Sequence, residues 1–492
     1  MGLAYKWMVE ELVQFNDMEN IQNFIGGKYL DPVKGKYLDN FEPGKGKVYG
    51  QIPNSTQEDL DLAVVAAQAA FEGWSKMSID KRSRILLKLA DLIEENLENL
   101  AIAESRDNGK PVSLARTVDI PRAATNFRFY ASSIVNFSTE SHISEGFMVN
   151  YTRRAPIGIV GCISPWNLPL YLFSWKIAPA LAMGNCVIAK PSEMTPMTAS
   201  MLGKLANEAG MPAGVLNILH GEGAGIGQAI VETTATKAIS FTGGTTTGKM
   251  VGATASQQFK KVSLELGGKN PNLIFADCDL EEAVKTSVKS SFTNQGEICL
   301  CGSRILVEAS IYDEFKKRFV AEASKLTVGD PFDEESDLGA LVSEAHLQKV
   351  KSYIDLGKEE GGKILLGGNR LPKEGYYLEP TIIEGLGEEC RTNQEEIFGP
   401  VVTLNKFETD EGAIRAANST RYGLSCTIWT SNLKRAHSVA HRMHAGIVWV
   451  NCWLLRDLRT PFGGMKDSGI GREGGNEALQ FFSEPQNICI KL

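Results

Sequence analysis

The chain has 492 residues, 43% of them hydrophobic and 22% charged, which is the balance of a protein with large buried cores and excludes disorder, collagen and small disulfide scaffolds. At roughly 150 residues per domain, this length predicts about three structural units. The net charge of −8 argues against nucleic acid as the main partner, because phosphate binding relies on clustered positive charge, and small molecules are the expected partners.

Cysteine usage and apolar runs indicate the compartment. The nine cysteines are scattered without paired spacings, which is typical of a reducing compartment. The first 15 residues contain acids and lack the apolar stretch of a signal peptide, and no run approaches the ~18 apolar residues of a membrane span. We therefore expect a soluble cytoplasmic protein with no membrane partner.

The first predicted elements are helices, followed by an alternating series. The first 130 residues supply mostly helical patterns, such as residues 80–109. Between about 157 and 275, apolar runs alternate with amphipathic stretches such as 195–210, and the runs cover 157–163, 185–189, 214–219, 237–241 and 262–266. Strands and helices that alternate at this spacing predict a parallel sheet with right-handed crossovers.

A second alternating series runs from about 271 to 451. Its expected strands cover 272–276, 303–309, 401–407, 424–430 and 446–451, and its expected helices cover 280–292, 311–326 and 410–418. The acidic, glycine-rich stretch 328–339 is expected to be a surface loop. Two α/β units therefore follow one another, with a boundary near residue 268.

Three polar residues stand where reactive groups are expected. Cys299 follows a glycine in a polar turn, where a thiol stays accessible and local dipoles lower its pKa; the alternative is a buried structural cysteine. Glu265 ends an apolar strand at the carboxyl edge of the sheet and can act as a general base, unless it is merely a solvated glutamate. Asn167 lies between two prolines in a rigid turn, where its amide either meets an oxyanion or only holds the turn together.

Other turns indicate a nucleotide. Lys190 and Glu193 come just after a strand, within reach of a ribose or a phosphate. The glycine-rich segment 241–248 follows a strand and begins a helix, so its backbone N–H groups are placed to meet a pyrophosphate. The segment 221–227 resembles a dinucleotide fingerprint only weakly. No P-loop triplet is present, since Lys249 after the segment 241–248 is followed by Met250, which removes the obvious ATPase interpretation.

The order of the motifs carries a family resemblance. PWNLP, KPSE, FTGGTTTG, ELGGK, NQGEIC, EEIFGP and PFGGMKDSGIGRE occur in the order found in aldehyde dehydrogenases, across nearly the whole chain, and the chain resembles that family. The resemblance implies an α/β fold with a Rossmann-type parallel-sheet cofactor domain (1–134 and 156–267) and an α/β catalytic domain (268–465). It also implies a small oligomerisation sheet (135–155 and 466–492) in a homodimer or homotetramer.

The resemblance also implies the chemistry. Cys299 matches the thiol nucleophile, Asn167 and the Cys299 N–H match the oxyanion hole, and Glu265 matches the base that activates water. NAD is the implied cofactor and no metal is expected. The implied cofactor contacts are Ile163, Ser164, Trp166, Lys190, Glu193, Gly223, Gly227, Phe241, Gly243, Gly244, Leu266, Glu396 and Phe398.

Two of these positions bear on how the cofactor is held. Glu193 favours NAD over NADP, because a carboxylate accepts a hydrogen bond from a 2′-hydroxyl and repels a 2′-phosphate. The family commonly has Ser where Gly244 stands, so only backbone donation to the pyrophosphate is expected there.

Arg456 and Arg459 are unexpected in a segment that lines the substrate tunnel of family members, because that wall is often apolar or aromatic, and Arg122 stands in a helical pattern that lines the same tunnel. A guanidinium binds a carboxylate through a planar two-point fork, so Arg122 and Arg456 indicate a substrate with an acid at its far end. The alternative is that they pair with Asp119 and Asp457. The same tunnel is expected to be lined by Leu170, Tyr171 and Trp175, although a core helix face is an alternative for Leu170.

Local strings narrow the resemblance to one branch of the family. DIPRAATNFRFYA, SPWNLPLYL, NQGEICLC and NCWLLRDLRTPFGG resemble the branch that oxidises 2-aminomuconic and 2-hydroxymuconic semialdehydes to dicarboxylic acids and holds the substrate carboxylate with two arginines. The amino compound, of tryptophan (kynurenine) breakdown, is the favoured expectation. The hydroxy compound, of aromatic ring-cleavage catabolism, and a general aliphatic or retinal aldehyde are the alternatives.

Other function classes stay open at this point. A Cys–His hydrolase needs a histidine beside the thiol, and distance in sequence does not exclude one. His437, His441 and His444 have a spacing that suits a metal, but the arginines among them favour a basic helix face. Glu265 argues against transfer of the acyl group to coenzyme A, and the intact set of Asn167, Glu265 and Cys299 argues against a silent structural protein. Cys301 is either a tunnel-wall residue or a redox partner of Cys299.

Overall fold

The computed structural model describes residues 19–492, so the prediction about the first 15 residues falls on a segment outside the described ones. The fold is mixed α/β, as predicted. Its helices are α1 Gln57–Lys76, α2 Ile79–Glu95, α3 Leu97–Asn108, α4 Val112–Leu114, α5 Ile120–Val135, α6 Pro169–Ala182, α7 Met197–Glu208, α8 Gln228–Glu232, α9 Thr245–Ser256, α10 Leu280–Phe292, α11 Tyr312–Ala323, α12 Glu344–Glu359, α13 Arg391–Gln394, α14 Asp410–Asn418, α15 Leu433–Ala440 and α16 Gly475–Phe481. Short π-helical turns cover Ala115–Asp119 and Gly223–Gly227, and 3₁₀ turns cover Thr293–Gly296 and Ala309–Ile311.

The strands supply two large sheets and several small ones. They are β1 Glu19–Asn20, β2 Asn23–Ile25, β3 Lys28–Leu30, β4 Tyr37–Glu42, β5 Lys47–Pro53, β6 Ser141–Ser144, β7 Met148–Pro156, β8 Ile159–Ile163, β9 Cys186–Lys190, β10 Leu216–Ile218, β11 Thr236–Thr242, β12 Lys261–Glu265, β13 Asn270–Ile274, β14 Gly302–Glu308, β15 Lys363–Leu366, β16 Thr381–Glu384, β17 Val401–Phe407, β18 Tyr422–Gly423, β19 Ser425–Trp429, β20 Ile447–Val450, β21 Met465–Lys466, β22 Gly469–Ile470 and β23 Ser483–Lys491.

The first large sheet has the strand order β22-β12-β11-β8-β9-β10-β2-β3. Its inner strands β12, β11, β8, β9 and β10 are parallel and lie at the five predicted apolar runs, which confirms that prediction. Strands covered on both faces read as continuous apolar runs, and β8 and β9 are buried at every position. Antiparallel strands close both edges, with β22 beside β12 and the β2–β3 hairpin beside β10.

The second large sheet has the order β15-β16-β17-β14-β13-β19-β20, in which all neighbours are parallel except β15 and β16. The predicted helices 280–292 and 410–418 have these same bounds in the structure. Each begins sharply because a side chain caps it: Asp279 accepts from the Glu282 N–H and Thr409 from the Gly412 N–H.

The N-terminal part differs from the predicted run of helices. The helical pattern over 80–109 is divided at Asn96 into α2 and α3. Residues 19–53 form the short strands β1 to β5, which were not predicted. These strands have only two to seven residues, many of them polar, so they show too little periodicity to be recognised.

A third sheet, of order β23-β7-β6, lies apart from the large ones. β7 and β23 pair antiparallel along their whole length, so parts of the two segments predicted for oligomerisation lie together. Gly469–Ile470, from the same C-terminal segment, instead pairs with β12 in the first sheet. The domain division and the oligomerisation role remain predictions.

The chain crosses between the two large sheets at the predicted boundary near residue 268. β12 ends at Glu265 and β13 begins at Asn270, so the intervening four residues carry the chain from the carboxyl edge of one sheet to the amino edge of the next. This crossing places candidate residues from both sheets in one region. Within residues 19–492, no helix combines the length and the apolar character that crossing a membrane requires.

Candidate active site

A cavity of about 210 Å³ lies where the two large sheets meet. It brings together eight of the predicted site residues: Asn167, Cys299, Trp166, Gly243, Gly244, Leu266, Glu396 and Phe398. It is also lined by Pro165, Leu172, Thr242, Gly267, His346 and Lys349, which sequence reasoning did not select. The cavity therefore joins the predicted thiol, its predicted oxyanion donor and the nicotinamide-side candidates.

The loop that carries Cys299 is held rigidly on both sides. Before it, Asn294, Gln295 and Gly296 adopt left-handed backbone conformations in succession, with φ of 53°, 55° and 71°. A Cβ atom at Gly296 would lie 2.2 Å from the Gly399 carbonyl oxygen, so only glycine allows this close approach. After it, Asn270 Nδ2 donates to the carbonyls of Cys299 at 2.7 Å and Cys301 at 2.9 Å.

The environment of the Cys299 thiol contradicts the expectation of a lowered pKa. Burial raises the pKa of this thiol well above its usual range, and the nearby acids Glu396 and Glu265 raise it further, whereas Arg456 lowers it only in part. Desolvation disfavours the thiolate more strongly than the local dipoles favour it. An adjacent base or a bound cation is therefore needed to generate the nucleophile.

Asn167 stands in the turn between β8 and α6, as its flanking prolines predict. Its Nδ2 donates to the Glu297 carbonyl at 2.8 Å, which orients the side-chain amide beside the Cys299 loop. An amide NH₂ group has two hydrogens, so one remains for an oxyanion in the cavity.

Glu265 is the last residue of β12, as predicted, and is only 4% exposed. Neither carboxylate oxygen has a hydrogen-bond partner within residues 19–492. Burial raises the pKa of Glu265 well above its usual range, and the Glu473 carboxylate raises it further against the opposing charge of Lys176. A carboxyl group with a raised pKa and free oxygens suits a general base.

The amino end of α9 opens onto the same cavity. β11 leads through Thr242, Gly243 and Gly244 into the helix, which confirms the predicted strand, turn and helix. Unpaired backbone N–H groups at a helix start attract anions such as a pyrophosphate. Two buried hydroxyls of the first sheet's loops, Ser164 Oγ and Thr245 Oγ1, have no partner among the described residues and fit a polar ligand.

Lys190 and Glu193 form an ion pair at the end of β9, with Nζ 2.9 Å from Oε2. Although burial alone raises the pKa of Glu193, the Lys190 charge and hydrogen bonds, one of them from the Gly223 N–H, outweigh it and lower that pKa. A Cβ atom at Gly227 would lie 3.4 Å from the Lys190 side chain. The predicted ribose-side residues and the glycines of 223–227 are thus neighbours, with Glu193 as a carboxylate at the surface.

Glu396 and Phe398 face the cavity from the turn before β17. Glu396 Oε1 accepts from the Gly268 N–H at 2.8 Å, and burial raises the pKa of Glu396. Phe398 has a φ of 61°, which is rare for an aromatic residue, and its carbonyl oxygen lies 2.7 Å from His346 Nε2. Its ring meets the Trp166 ring edge to face at 5.2 Å. The other two predicted contacts, Ile163 and Phe241, are buried ends of β8 and β11.

The two predicted substrate arginines lie close to the same aromatic residues. Arg456 Nη1 donates to the Tyr171 hydroxyl at 3.1 Å and its guanidinium carbon lies 5.1 Å from the Trp175 ring centre. The Arg122 guanidinium carbon lies 5.8 Å from that ring and 5.2 Å from the Tyr171 ring. Burial lowers the pKa of Arg122, and the Arg456 charge lowers it further, so the two cations repel each other.

The alternative pairing of these arginines with nearby aspartates is wrong. Asp119 pairs with Lys110, and Asp457 pairs with Arg459 at 2.6 Å. Among the described residues, neither Arg122 nor Arg456 forms an ion pair with a carboxylate, and Arg122 Nη2 is buried without a hydrogen bond. Guanidinium groups without an ion-pair partner among the described residues are suited to bind an external carboxylate.

The remaining tunnel candidates lie on α6. Tyr171 and Trp175 contact the arginines. The Leu170 side chain is completely buried in the main core, which agrees with the alternative that it belongs to a core helix face. Leu172, two residues later, lines the cavity instead. Because α6 is apolar on all sides, its sequence pattern does not distinguish core positions from cavity positions.

His346 and Lys349 are the charged or titratable cavity residues that the sequence analysis missed. Both lie on α12, where an amphipathic pattern is typical of an ordinary surface helix. Burial lowers the pKa of His346 to about 4, so its ring is neutral at pH 7. Within residues 19–492 no hydrogen bond joins His346 to Cys299, and the ring is committed to the Phe398 carbonyl, which disfavours a Cys–His hydrolase.

The remaining cysteine and histidine candidates lie outside the cavity lining. All nine cysteines are free, and Cys301 is buried at 6% exposure. The ring of His437 on α15 lies 6.1 Å from the ring of His441, the residue that directly follows this helix. In the part of the chain that the structure describes, no group of three or more His, Cys, Asp or Glu residues could hold a metal ion.

Comparisons with known proteins place this chain in a family. The model of the aldehyde dehydrogenase family matches residues 29–488. The chain is 51% identical to a 2-aminomuconic semialdehyde dehydrogenase of Bos taurus, over 96% of this chain and 98% of that protein. It is 45% identical to a 2-hydroxymuconic semialdehyde dehydrogenase of Pseudomonas sp. (strain CF600), over 96% of this chain and 100% of the other. A solved NAD⁺ complex of an aldehyde dehydrogenase from Bacillus cereus superposes with a TM-score of 0.95 at 39% identity, over 99% of this chain and 98% of that one. With its motifs, its fold and nearly its whole length in agreement, the chain belongs to the aldehyde dehydrogenase family.

Proposed function

We propose that this aldehyde dehydrogenase oxidises a semialdehyde that bears a carboxylate, using NAD, to the corresponding dicarboxylic acid. The favoured substrate is 2-aminomuconic 6-semialdehyde, an intermediate of tryptophan breakdown. The observation that carries the proposal is the pair of arginines, Arg122 and Arg456, that contact Tyr171 and Trp175 of α6 and have no carboxylate partner among the described residues.

The first chemical step belongs to Cys299 and Asn167. The thiolate sulfur adds to the aldehyde carbon, and the carbonyl π electrons move to oxygen, which gives a hemithioacetal oxyanion. The free hydrogen of the Asn167 amide, with the Cys299 N–H, stabilises that oxyanion; removal of one such donor typically lowers the rate by about 10²–10³-fold. Collapse of the oxyanion expels a hydride and leaves a thioester on Cys299.

The second step belongs to Glu265. Its carboxylate removes a proton from water, the resulting hydroxide attacks the thioester carbon, and the Cys299 thiolate leaves with formation of the carboxylic acid. The absence of a hydrogen-bond partner among the described residues leaves the Glu265 oxygens free for this water. In sum, one aldehyde, one water and one oxidised nicotinamide give one acid, one reduced nicotinamide and one proton.

NAD, when bound, supplies the hydride acceptor. Lys190 and Glu193 would hold the adenosine ribose, the N–H groups at the start of α9 the pyrophosphate, and Glu396 and Phe398 the nicotinamide riboside. The cavity, the open helix start and the unpartnered hydroxyls of Ser164 and Thr245 fit such a ligand. The surface carboxylate of Glu193 supports NAD over NADP, because it would repel a 2′-phosphate.

The test compares acidic and neutral aldehydes. Arg456→Ala and Arg122→Ala are each expected to raise KM for the semialdehyde about 10- to 100-fold, because a hydrogen bond to a charged group contributes about 1.5–3 kcal/mol. KM for hexanal should change little. Arg459→Ala, which removes an exposed arginine already paired with Asp457, is the matched control. Equal rises in KM for both aldehydes would reject the carboxylate anchor, and NADH absorbance reports every rate.

The amino and hydroxy substrates are distinguished by the same assay. We expect a higher kcat/KM with 2-aminomuconic than with 2-hydroxymuconic semialdehyde. The opposite order would reassign the enzyme to ring-cleavage catabolism and leave the arginine anchor intact.

The compartment and assembly form part of the proposal. Nine free cysteines support the reducing cytoplasm. Exposed apolar side chains on the small sheet, including Ile143 at 68% and Ile490 at 50%, support assembly into a homodimer or homotetramer.

A further inference from the structure

Three side chains from one short segment hold the turn that carries Asn167. Glu104, in the last turns of α3, accepts from the Leu170 N–H at 3.2 Å. Asn108 Nδ2 donates to the Trp166 carbonyl at 2.9 Å, and Lys110 Nζ donates to the Asn167 carbonyl at 2.9 Å. The segment 104–110 therefore fixes the backbone before, at and after the predicted oxyanion donor.

Lys110 is an unusual residue in this segment because its side chain is completely buried. Its ammonium group pairs with Asp119, which is equally inaccessible to water. The turn that presents Lys110 includes Gly109, whose φ is 88° and whose added Cβ would lie 2.7 Å from the Ala340 carbonyl oxygen. A buried cation cannot leave its partners without a large desolvation cost, so Lys110 is confined to this position.

Asn294 connects the same turn to the Cys299 loop. Its Nδ2 donates to the Asn167 carbonyl at 3.1 Å and contacts the Glu297 carbonyl at 3.3 Å. The Glu297 carbonyl in turn accepts from Asn167 Nδ2 at 2.8 Å. Lys110, Asn294, Asn167 and Glu297 thus form one closed hydrogen-bond network between the predicted donor and the predicted nucleophile.

We propose that Lys110, anchored by Asp119, is a positioning residue that aims the Asn167 amide at the oxyanion. This inference rests on the oxyanion role proposed for Asn167. Lys110 does not itself line the cavity and acts on the site through the Asn167 peptide, whose carbonyl it holds. A displacement of about 1 Å in a reacting group can lower a rate about 10²-fold, so the effect falls on kcat rather than on cofactor binding.

A double-mutant cycle tests this role. Lys110→Met combined with Asp119→Asn removes both charges of this ion pair together, so that Asp119 is not left as an unpaired carboxylate. The buried carboxyl group of Glu104 stays, and burial raises its pKa to about 8. In the background with Asn167 we expect a 10- to 100-fold fall in kcat for hexanal at saturating NAD, with KM for NAD changed less than about twofold. In the Asn167→Ala background the same pair should lower kcat less than about twofold further, because no amide remains to be aimed.

Hexanal is used so that recognition of an acid does not enter the result. Decreases in kcat of equal size in both backgrounds, or no decrease with Asn167 present, would overturn the role of Lys110 and leave the oxyanion role of Asn167 unaffected. A normal rate in Asn167→Ala would overturn the proposed oxyanion role, and this inference with it.

A matched control and a second variant separate positioning from folding. Lys260 is another buried lysine that donates to backbone carbonyls, those of Val231 and Thr233, far from the Asn167 turn. Lys260→Met should lower the melting temperature while kcat for hexanal stays unchanged.

If the charge-pair variant does not fold, Asn294→Gly replaces it, because glycine accepts the φ of 53° and removes the other donor to Asn167. The same non-additivity with Asn167→Ala is expected, because Asn294 and Lys110 hold the same carbonyl. Additive losses would show that fixing this carbonyl does not aim the Asn167 amide, which would overturn the role of Lys110 as well.

Discussion

Cys299 is a nucleophile in surroundings that oppose its ionisation. Burial, Glu396 and Glu265 all raise the pKa of its thiol. The sequence identified this residue through its motif and its glycine-preceded turn, but its pKa depends on acids contributed by β12 and by the turn before β17. These acids are distant in sequence and approach the thiol only in the folded protein. No local sequence pattern around Cys299 therefore predicts that its pKa is raised.

The first prediction at the residue scale concerns the pH dependence of this thiol. In protein without NAD, alkylation of Cys299 by iodoacetamide should accelerate with pH beyond the range of an ordinary thiol, whose pKa is about 8.5. Glu396→Gln removes the largest nearby negative charge that raises the pKa, so alkylation at a given pH should become faster. Mass spectrometry of the Cys299 peptide measures the rate.

Glu395→Gln is the matched control for that experiment. Its carboxylate is adjacent in sequence but pairs with Arg391 and Tyr353, away from the thiol. An identical pH profile for Glu396→Gln and the parent protein would contradict the assigned electrostatics.

At the scale of elements, the glycine-rich start of α9 is the part of the site that the sequence predicted best. The apolar run of β11, the two glycines and the following helix have a fixed local geometry, so the motif alone locates the open amides. The α12 residues His346 and Lys349 were missed for the opposite reason. Their helix is ordinary by itself, and only the packing against Trp166 and Phe398 brings them to the cavity.

A prediction at this scale distinguishes the two glycines. A Cβ atom at Gly243 would lie 2.6 Å from the Phe241 ring, whereas one at Gly244 would meet no atom within 4 Å. Gly243→Ala should therefore lower the free energy of unfolding by about 1–3 kcal/mol and raise KM for NAD. Gly244→Ser should change stability by only a few tenths of a kcal/mol, since serine and glycine are both accepted at a helix N-cap.

Thermal unfolding and NAD titration measure both variants. Equal losses for Gly243→Ala and Gly244→Ser would contradict the packing described for this turn.

At the scale of the whole molecule, two sheets of mostly parallel strands are connected by the four residues between β12 and β13. The cavity lies where these two sheets meet. The sequence predicted both alternating series and the boundary near 268, because buried parallel strands leave long apolar runs. It did not predict the strands of 19–53 or the pairing of Gly469–Ile470 with β12, since short edge strands have little pattern. The ion pair of Asp119 was also not predicted, because the fold buries Asp119 with Lys110 and leaves Arg122 with other neighbours. Asp457 pairs with Arg459, a local alternative to the predicted Arg456.

The prediction at this scale concerns assembly. Ile143 and Ile490 are exposed on the small sheet, at 68% and 50%, so Ile143→Asp and Ile490→Asp should lower the mass of the assembly measured by sedimentation. Leu433→Asp, at a position 73% exposed on α15, is the control and should leave the mass unchanged. A monomeric parent protein, or an unchanged mass in both small-sheet variants, would contradict this assembly surface.

The contact of Gly296 with Gly399 has a consequence for protein engineering. The loop before Cys299 and the loop after Phe398 approach each other too closely for any side chain at residue 296. A chimera that imports the first loop with any residue other than glycine at 296 would place a Cβ atom against the Gly399 carbonyl of the second. The two loops therefore form a single exchangeable module, and libraries designed to change specificity should recombine them as a unit.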